Sequence, residues 1–344
     1  MIPLFKVFMS PEAPARVADV LRSGYIGQGE QVEAFEAALQ ALLSTDAPPL
    51  TTNSCTSALD LALHLIGVGV GDEVITTPMT CTATNSPIVT RGARPIWADV
   101  DPLTGLIDPL DVTHKVTSKT KAIMAVDWGG TPCDYRLLKF HKDIPVIQDA
   151  AHHLSPPQGD YTCYSFQAIK FLTTGDGGCL VCPPEQTERA RLLRWYGLDR
   201  RSKADFRCEQ NIQEAGYKYH MNDIAAAIGL ANIGMVEGLI AKHQTNAAEY
   251  DGAFGRPWNA RSASWLYTLL VEDRHGFIAH MADHGIACSP VHARNDTHAA
   301  FHYPNGPLPG VDHFASRNVA IPVHWALTPE DRRAVIEAVR AWSR

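Results

Sequence analysis

Hydrophobic residues recur along this chain in two patterns, one typical of helices and one of short buried strands. Over residues 30–43 they are spaced three and four positions apart, which predicts an amphipathic helix. Residues 57–66 are apolar on nearly all sides, as in a buried helix. Another helix is predicted from Met221 to about residue 250. A last one is predicted after Thr328, which is followed by a proline and, at the N3 position, by an acid.

Short runs of strand-forming residues alternate with these helical segments, most of them roughly 15–25 residues apart. They occupy residues 73–76, 94–97, 121–126, 144–147, 163–166, 178–181 and 265–271. This alternation predicts an α/β fold with a mostly parallel sheet. Because 344 residues exceed one ordinary core, we expect a large domain over residues 1–240 and a smaller α+β domain over residues 241–344.

The composition is that of a soluble globular protein, with 45% hydrophobic and 19% charged residues. A net charge of −7 and a pI near 6.1 create no field that attracts nucleic acid or an anionic membrane. No apolar run approaches the ~20 residues that span a bilayer, and residues 1–6 lack the shape of a signal peptide. We therefore expect a cytoplasmic protein without nucleic-acid or membrane partners.

The eight cysteines lie scattered, mostly in apolar segments, which predicts reduced and buried thiols. Cys179 and Cys182 have CxxC spacing, but no second such pair and no suitably spaced histidine pair accompanies them. We predict no metal site.

Lys170 carries the most informative chemistry in the chain. It closes the segment Ser165–Lys170, and a glycine-rich turn over residues 173–178 follows. Asp149 follows the preceding predicted strand. Pyridoxal 5′-phosphate (PLP) requires a lysine that forms a Schiff base and a carboxylate that keeps the pyridine nitrogen protonated. The alternative is a surface lysine beside a helix-capping aspartate, which either residue alone would more often be.

Residues 51–58, with the sequence TTNSCTSA, precede the predicted buried helix. Small hydroxyl residues at a helix start can bind phosphate through backbone N–H groups, hydroxyl groups and the helix dipole. A plain serine or threonine N-cap is the alternative. In combination with Asp149 and Lys170, phosphate binding is the better prediction.

Along most of its length the chain resembles the DegT/DnrJ/EryC1/StrS family, which comprises sugar aminotransferases of PLP fold type I. The lysine segment, residues 165–178, resembles the SFxxTKxxxxGEGG motif of the family. The other matching segments are residues 24–29 with the Phe35-Glu36 pair, 54–58 (SGTxA), 78–84 (PxTFxAT), 99–102 (DVDP), 130–134 (GxPxD), 149–152 (DAAQ), 194–197 (RxHG), 216–221 (GxNYRM) and 321–324 with the capped helix that follows (LPLHxxLTxED).

The resemblance implies a role for each matched residue. Lys170 would hold PLP as an internal aldimine and shuttle a proton between substrate and cofactor, and Asp149 would pair with the pyridine nitrogen. His152 stands where a glutamine often contacts the phenolic oxygen of the cofactor, and an imidazole could donate the same hydrogen bond. The residues implied to hold the phosphate are Thr56, Ser57 and Ser165.

Three positions depart from the family pattern. Cys81 occupies the place of an aromatic residue that commonly stacks on the PLP ring, so either the ring lies against a thiol or another residue supplies that face. Lys218 replaces an asparagine that reaches the phosphate across the dimer interface, and its ammonium could bind phosphate as a point charge. His220 replaces an arginine.

The resemblance implies a homodimer whose active sites are shared between subunits, with PLP bound by the large domain at residues 1–240. It also implies ping-pong transamination from L-glutamate or L-glutamine, through pyridoxamine phosphate (PMP), to a keto-deoxysugar linked to a nucleotide. A cyclitol or other non-nucleotide ketone is an alternative acceptor. A non-catalytic regulatory dimer is an alternative of another class. Dehydratase relatives of this fold replace the lysine with histidine, whereas Lys170 is retained here.

Overall fold

The structure, a computed structural model, describes residues 1–202, 206–257, 259–303 and 306–342. Within these ranges the chain alternates helices and short strands, as the sequence predicts. The strands are β1 (Leu50–Thr52), β2 (Glu73–Thr76), β3 (Arg94–Trp97), β4 (Thr120–Val126), β5 (Val146–Asp149), β6 (Tyr161–Ser165), β7 (Gly178–Val181), β8 (Tyr267–Leu270) and β9 (Asn318–Ile321). The α-helices are α1 (Ala13–Ser23), α2 (Glu30–Leu43), α3 (Cys55–Ile66), α4 (Thr82–Thr90), α5 (Pro109–Lys115), α6 (Tyr135–Leu138), α7 (Pro184–Leu193), α8 (Asp223–Asn232), α9 (Val236–Phe254), α10 (Arg274–Asp283), α11 (Pro309–Arg317) and α12 (Pro329–Trp342).

A seven-stranded sheet forms the centre of the molecule, in the order β1-β7-β6-β5-β4-β2-β3. Strands β3, β2, β4, β5 and β6 pair in parallel, and β7 is antiparallel to both of its neighbours. The fold is therefore the mixed α/β fold with a mostly parallel sheet that the sequence predicts. In such sheets the carboxyl ends of parallel strands meet at one edge, where ligands bind.

Strand and helix positions follow the predicted runs closely, with one shift in the site region. The run at 144–147 forms a strand only from Val146, so that Asp149 is the last residue of β5 rather than two residues beyond it. Pro145 has no N–H to donate, which favours a strand beginning after it. Strand β1 and helices α1, α4 and α5 have no counterpart in the predicted pattern; β1 has only three residues, and α4 contains Pro87.

Residues of three matched segments hold the large sheet to its surroundings. Glu36 on α2 accepts hydrogen bonds from the backbone and hydroxyl of Thr51 at 2.9 and 2.8 Å, and it pairs with the buried Arg194. The carboxylate of Asp99 accepts from the N–H groups of Gly310 and Val311 at 2.9 and 2.7 Å, and so caps α11. These residues have a structural role, because their polar groups bind to other parts of the fold.

The two-stranded sheet β8-β9 forms a second unit of regular structure in the C-terminal part. The N-terminal segment contacts the turn after α10, where Ile2 donates to the carbonyl of Gly285 and accepts from the N–H of Ala287. The boundary expected at residue 240 falls inside α9, and the division at that residue stays a prediction.

Among the described residues, one helical run is long and apolar enough to cross a membrane by length and composition alone: Asp223–Phe254, from α8 through α9. Asn232 and Glu237 interrupt its apolar residues, so it does not stand out as one apolar run in the sequence. One such run is weak evidence for a membrane span, since core helices of soluble proteins meet the same criterion. Helix α8 packs against α1 and α2.

Candidate active site

The carboxyl ends of β4, β5 and β6 open into a cavity of about 470 Å³, which we call the catalytic cavity. Its volume lies within the range of about 300–1,000 Å³ that is usual for small-molecule sites. Most predicted site residues line it, namely Thr56, Cys81, Asp149, His152, Ser165 and Lys170. Ser57 lines a neighbouring cavity of about 440 Å³ that shares Thr56, and Lys218 lines neither. A larger cavity of about 640 Å³ near α9 and β8 contains none of these residues.

Lys170 lies in a tight turn just beyond β6, where its N–H donates to the carbonyl of Gln167 at 2.9 Å. Its side chain is only partly open to the catalytic cavity. Burial lowers the pKa of Lys170 to about 8, against the opposing attraction of Asp149. At this pKa about a tenth of the amine is neutral, and therefore nucleophilic, at pH 7.

Asp149 is buried and held by fixed donors. The hydroxyl of Thr84 donates to Oδ2 at 2.8 Å, and the N–H of Ala151 donates to Oδ1 at 3.0 Å. Burial raises the pKa of this carboxyl, whereas the bonds from Thr84 and Ala151 oppose the rise. The carboxylate is thus fixed in an apolar place where a cationic partner is strongly favoured. Sequence reasoning placed Thr84 in a matched segment without assigning it this role.

His152 presents one ring nitrogen for a ligand. Burial lowers its pKa well below the usual value, and Lys170 adds to this, so the ring is neutral. The N–H of Gly129 donates to Nδ1 at 3.3 Å, which assigns the ring proton to Nε2. Within the described residues Nε2 has no hydrogen-bond partner, so it can donate to an acceptor in the catalytic cavity.

The start of α3 supplies a phosphate cup, which comprises residues 54–57. Ser54 caps the helix by accepting from the N–H of Ser57 at 3.1 Å. Within the described chain the N–H groups of Cys55 and Thr56 have no acceptor, so they are free to bind an anion at the positive end of the helix. The hydroxyl of Ser57 already bonds to Asn53 and Ser54, at 2.7 and 2.9 Å.

A glycine permits the close approach of β7 to this cup. A Cβ on Gly178 would lie 2.5 Å from the N atom of Cys55 and 2.6 Å from the carbonyl of Tyr164. Ser165 pairs with Gly178 across β6 and β7, and its hydroxyl accepts from the N–H of Gln167 at 3.4 Å.

Aromatic residues of the catalytic cavity come from unexpected parts of the chain. Cys81 lines the cavity just before α4, while the Phe and Trp rings in the lining belong to Phe5 and Trp265. His292 also lines it, and burial and Lys170 lower its pKa to about 4. Val291 and Ser264, each just before one of these rings, have φ angles of +66° and +53°. Such angles are uncommon outside glycine and often mark functional sites, but no sequence pattern announces them.

Lys218 is exposed and lies outside the catalytic cavity of its own chain. Its Nζ is 5.7 Å from the ring centroid of Trp195 and 5.6 Å from that of Tyr196. Within the described chain this ammonium has no hydrogen-bond or ion-pair partner. The neighbouring His220 stacks on Trp195 at 3.5 Å, and burial and Lys218 lower its pKa to about 4. His220 therefore brings no charge where the family pattern has an arginine.

The residues of the catalytic cavity fit PLP. The carboxylate of Asp149, the amine of Lys170, the donor Nε2 of His152 and the cup at α3 match the ring nitrogen, aldehyde, phenolic oxygen and phosphate of that cofactor. No group of three or more metal-binding side chains occurs among the described residues. Fold and site together define a PLP-dependent transaminase of fold type I.

Comparison with known proteins identifies the family. The chain belongs to the DegT/DnrJ/EryC1/StrS aminotransferase family, whose sequence profile matches residues 9–340. It is similar to the sugar aminotransferase CalS13 from Micromonospora echinospora, with 37% identity and a TM-score of 0.92 over 99% of this chain and 100% of that one. The protein is accordingly a PLP-dependent sugar aminotransferase.

The chain is also similar to two further proteins. Spr1654 from Streptococcus pneumoniae is 27% identical, with a TM-score of 0.92 for its PMP form over 100% of this chain and 99% of that one. Its structure is also known in a PLP form. The spore coat polysaccharide biosynthesis protein SpsC of Bacillus subtilis is 30% identical over 98% of this chain and 96% of its own length.

Proposed function

We propose that this enzyme transfers an amino group from L-glutamate or L-glutamine to the ketone of a nucleotide-linked deoxysugar by ping-pong transamination. The observation that carries the proposal is the joining of Lys170, Asp149 and His152 in one catalytic cavity of a sugar aminotransferase. The nucleotide link follows the family resemblance. Bound in this cavity, PLP supplies an electron sink and alternates with PMP.

In this proposal each side chain of the cavity has one task. Lys170 attaches the cofactor and, once released, carries a proton, for which its pKa near 8 suits it. Asp149 holds a positive charge at the pyridine nitrogen. His152 donates from Nε2 to the phenolic oxygen. The phosphate binds the N–H groups of the cup together with the hydroxyls of Thr56, Ser57 and Ser165; Ser57 must first exchange one of its present bonds.

The charge of the cavity favours a site shared between two subunits. Its described lining includes Asp149 and Asp176 but no arginine, and Lys170 is its one lysine. A phosphate dianion and an acidic amino donor together need more positive charge than this. A partner subunit can supply it, and the unpaired ammonium of Lys218 is suited to the task. We therefore propose a homodimer in which Lys218 binds the cofactor phosphate of the partner subunit.

Lys218→Ala is expected to lose PLP on dialysis while the dimer stays folded. A hydrogen bond to a charged group contributes about 1.5–3 kcal/mol, so cofactor affinity should fall roughly 10- to 150-fold. Equilibrium dialysis with absorbance detection measures this. Lys119→Ala is the matched control, because Lys119 is exposed and precedes β4 at the edge of the sheet opposite the site. Equal PLP affinity in Lys218→Ala and wild type would contradict the proposed role.

Subunit mixing tests whether Lys218 acts across the interface. A heterodimer of Lys218→Ala and Lys170→Ala subunits has one site with both lysines if Lys218 serves the partner, and no complete site if it serves its own chain. At a PLP concentration that leaves Lys218→Ala largely free of cofactor, we expect the mixture to show activity that neither variant has alone. An inactive mixture with proven heterodimers would place Lys218 in its own subunit.

The substrates can be tested in separate half-reactions. L-Glutamate and L-glutamine should each be tried for conversion of the PLP form to the PMP form, followed by absorbance. The PMP form should then be offered keto-deoxysugars with and without a nucleotide, and cyclitol ketones. We expect amino-sugar formation from nucleotide-linked ketones. Turnover of cyclitol or free ketones in preference to these would reject the proposed acceptor.

Two expectations about organisation belong to the same proposal. Residues 1–240 would form the PLP-binding domain and residues 241–344 the smaller one. Eight free cysteines fit a reducing cytoplasm, because disulfides persist mainly in oxidising compartments.

A further inference from the structure

Trp265 contacts two of the proposed catalytic groups although it comes from the C-terminal part of the chain. The Nζ of Lys170 lies 3.7 Å from the centroid of its ring. The imidazole of His152 stacks on it at 3.9 Å with an interplanar angle of 20°. No matched motif includes it, and the hydrophobic pattern places it only at the start of the predicted strand 265–271.

The indole of Trp265 is fixed from several directions. Its Nε1–H donates to the carbonyl of Ile169, the residue before Lys170, at 3.0 Å. Phe5 stacks on it at 5.0 Å with an interplanar angle of 27°. A ring with this many restraints has a defined position before any ligand enters, as a positioning residue requires.

The backbone of Trp265 is fixed as well. The residues on either side of it donate to the turn at 129–130: Ala263 to the carbonyl of Gly130 at 2.8 Å, and Leu266 to that of Gly129 at 3.0 Å. A Cβ on Gly130 would lie 3.0 Å from the N atom of Trp265, so this approach needs glycine.

We propose that Trp265 is a positioning residue. It holds the amine of Lys170 as a cation over its indole whenever that amine is not attached to the cofactor, and it keeps the imidazole of His152 stacked on its ring. The inference rests on the proposed role of Lys170 as the attachment residue. It also specifies where the amine of Lys170 lies after its release from the cofactor, which the similarity in fold to other aminotransferases does not specify.

The electrostatics favour this arrangement. An aromatic face attracts a cation, most strongly for tryptophan and where water is excluded. Burial alone favours the neutral amine. The other charged or titratable groups around Lys170 are Asp149, Cys55, Cys81, Asp176, His152 and His292. The two histidines are neutral, so the indole and Asp149 are the main features that retain a cation there.

The test measures the amine itself in protein freed of cofactor. Competitive labelling of Lys170 with an amine-directed reagent across pH 6–10, read by peptide mass, gives its pKa; we expect about 8 in wild type. Trp265→Leu keeps the site apolar but removes the ring, so the pKa of Lys170 should fall by about 1 and labelling at pH 7 should rise about fivefold. Trp265→Phe should give an intermediate rise of about twofold.

Trp128→Phe is the matched control. Trp128 meets His152 edge-on at 6.2 Å and belongs to the same buried apolar cluster as Trp265, but no contact joins it to Lys170 in the described structure. Labelling of Lys170 should be unchanged in this variant. Unchanged or slower labelling of Lys170 in Trp265→Leu, with circular dichroism like that of wild type, would overturn the proposal. If Trp265→Leu does not fold, unchanged or slower labelling in Trp265→Phe would overturn it. Because no substrate or cofactor is used, the outcome is independent of the acceptor sugar.

Discussion

Replacing Lys170 with alanine is expected to reduce transamination by at least about 10⁴-fold. The change removes the group that attaches the cofactor and also the group that transfers protons, and proton transfer alone contributes about 10²–10⁴. Within the described lining of the catalytic cavity no second lysine can replace it. Turnover measured by product formation with a saturating donor and PLP provides the check.

Two controls separate this chemistry from folding. Lys170→Arg keeps a cation near Trp265 but offers no nucleophilic amine, so it should be as inactive as the alanine variant. Added methylamine should restore part of the activity of Lys170→Ala, because the vacated space admits a small amine. Activity within tenfold of wild type in either variant would mean that another group performs the reaction.

Asp149→Asn should retain the cofactor but turn over on the order of 10²-fold or more slowly. The amide oxygen can still accept from Thr84 or Ala151, so the fold around it should persist. What is lost is the negative charge that stabilises a positive pyridine nitrogen in a place with little water. Single-turnover rates measured on the PLP-loaded variant isolate this effect from cofactor loss.

Thr84→Val is a milder change that alters the pKa of the same carboxylate without removing it. The hydroxyl of Thr84 lowers the pKa of Asp149, so its removal should raise that pKa. A raised pKa extends the protonated form to higher pH, and the acid limb of the pH–rate profile should move upwards. Near-wild-type turnover in Asp149→Asn, or an unmoved acid limb in Thr84→Val, would point to another partner for the ring nitrogen.

The strands of the sheet and the positions of Asp149 and Lys170 at its edge could be predicted from the sequence, because both depend on residues that are close together in the chain. Short runs of strand-forming residues mark the strands, and β2, β3 and β7 begin and end where these runs predict. Asp149 ends β5 and Lys170 lies just beyond the adjacent parallel strand β6, and the carboxyl ends of such strands must meet at one edge. Their proximity could therefore be deduced before any coordinates were known.

Trp265 and His292 could not be found in this way. Both lie in segments that approach the cavity from the C-terminal part, through contacts that span about a hundred residues of sequence, such as Trp265 to Ile169. Their backbone is set by left-handed residues, Ser264 and Val291, that have no residue signature. Likewise, the sequence could not tell that the hydroxyl of Ser57 is engaged by Asn53, since this depends on rotamers at the start of α3.

At Cys81 the chain departs from the family pattern, and the structure shows which aromatic rings line the cavity with this thiol. The family pattern has an aromatic residue there, and the structure places a thiol in the cavity wall with the rings of Phe5 and Trp265 also in the lining. Those two rings stack on each other, and Trp265 stacks on His152, which itself replaces a glutamine. The aromatic surface of this cavity therefore comes from the N-terminal and C-terminal segments.

Borohydride reduction of the PLP-loaded protein, followed by peptide mapping, tests the central claim most directly. Reduction makes the link between cofactor and lysine permanent, so the modified residue can be read by mass. The account predicts one modified peptide, containing Lys170, and its disappearance in Lys170→Arg. A reduced cofactor on any other lysine, or none on a protein that retains PLP, would contradict it.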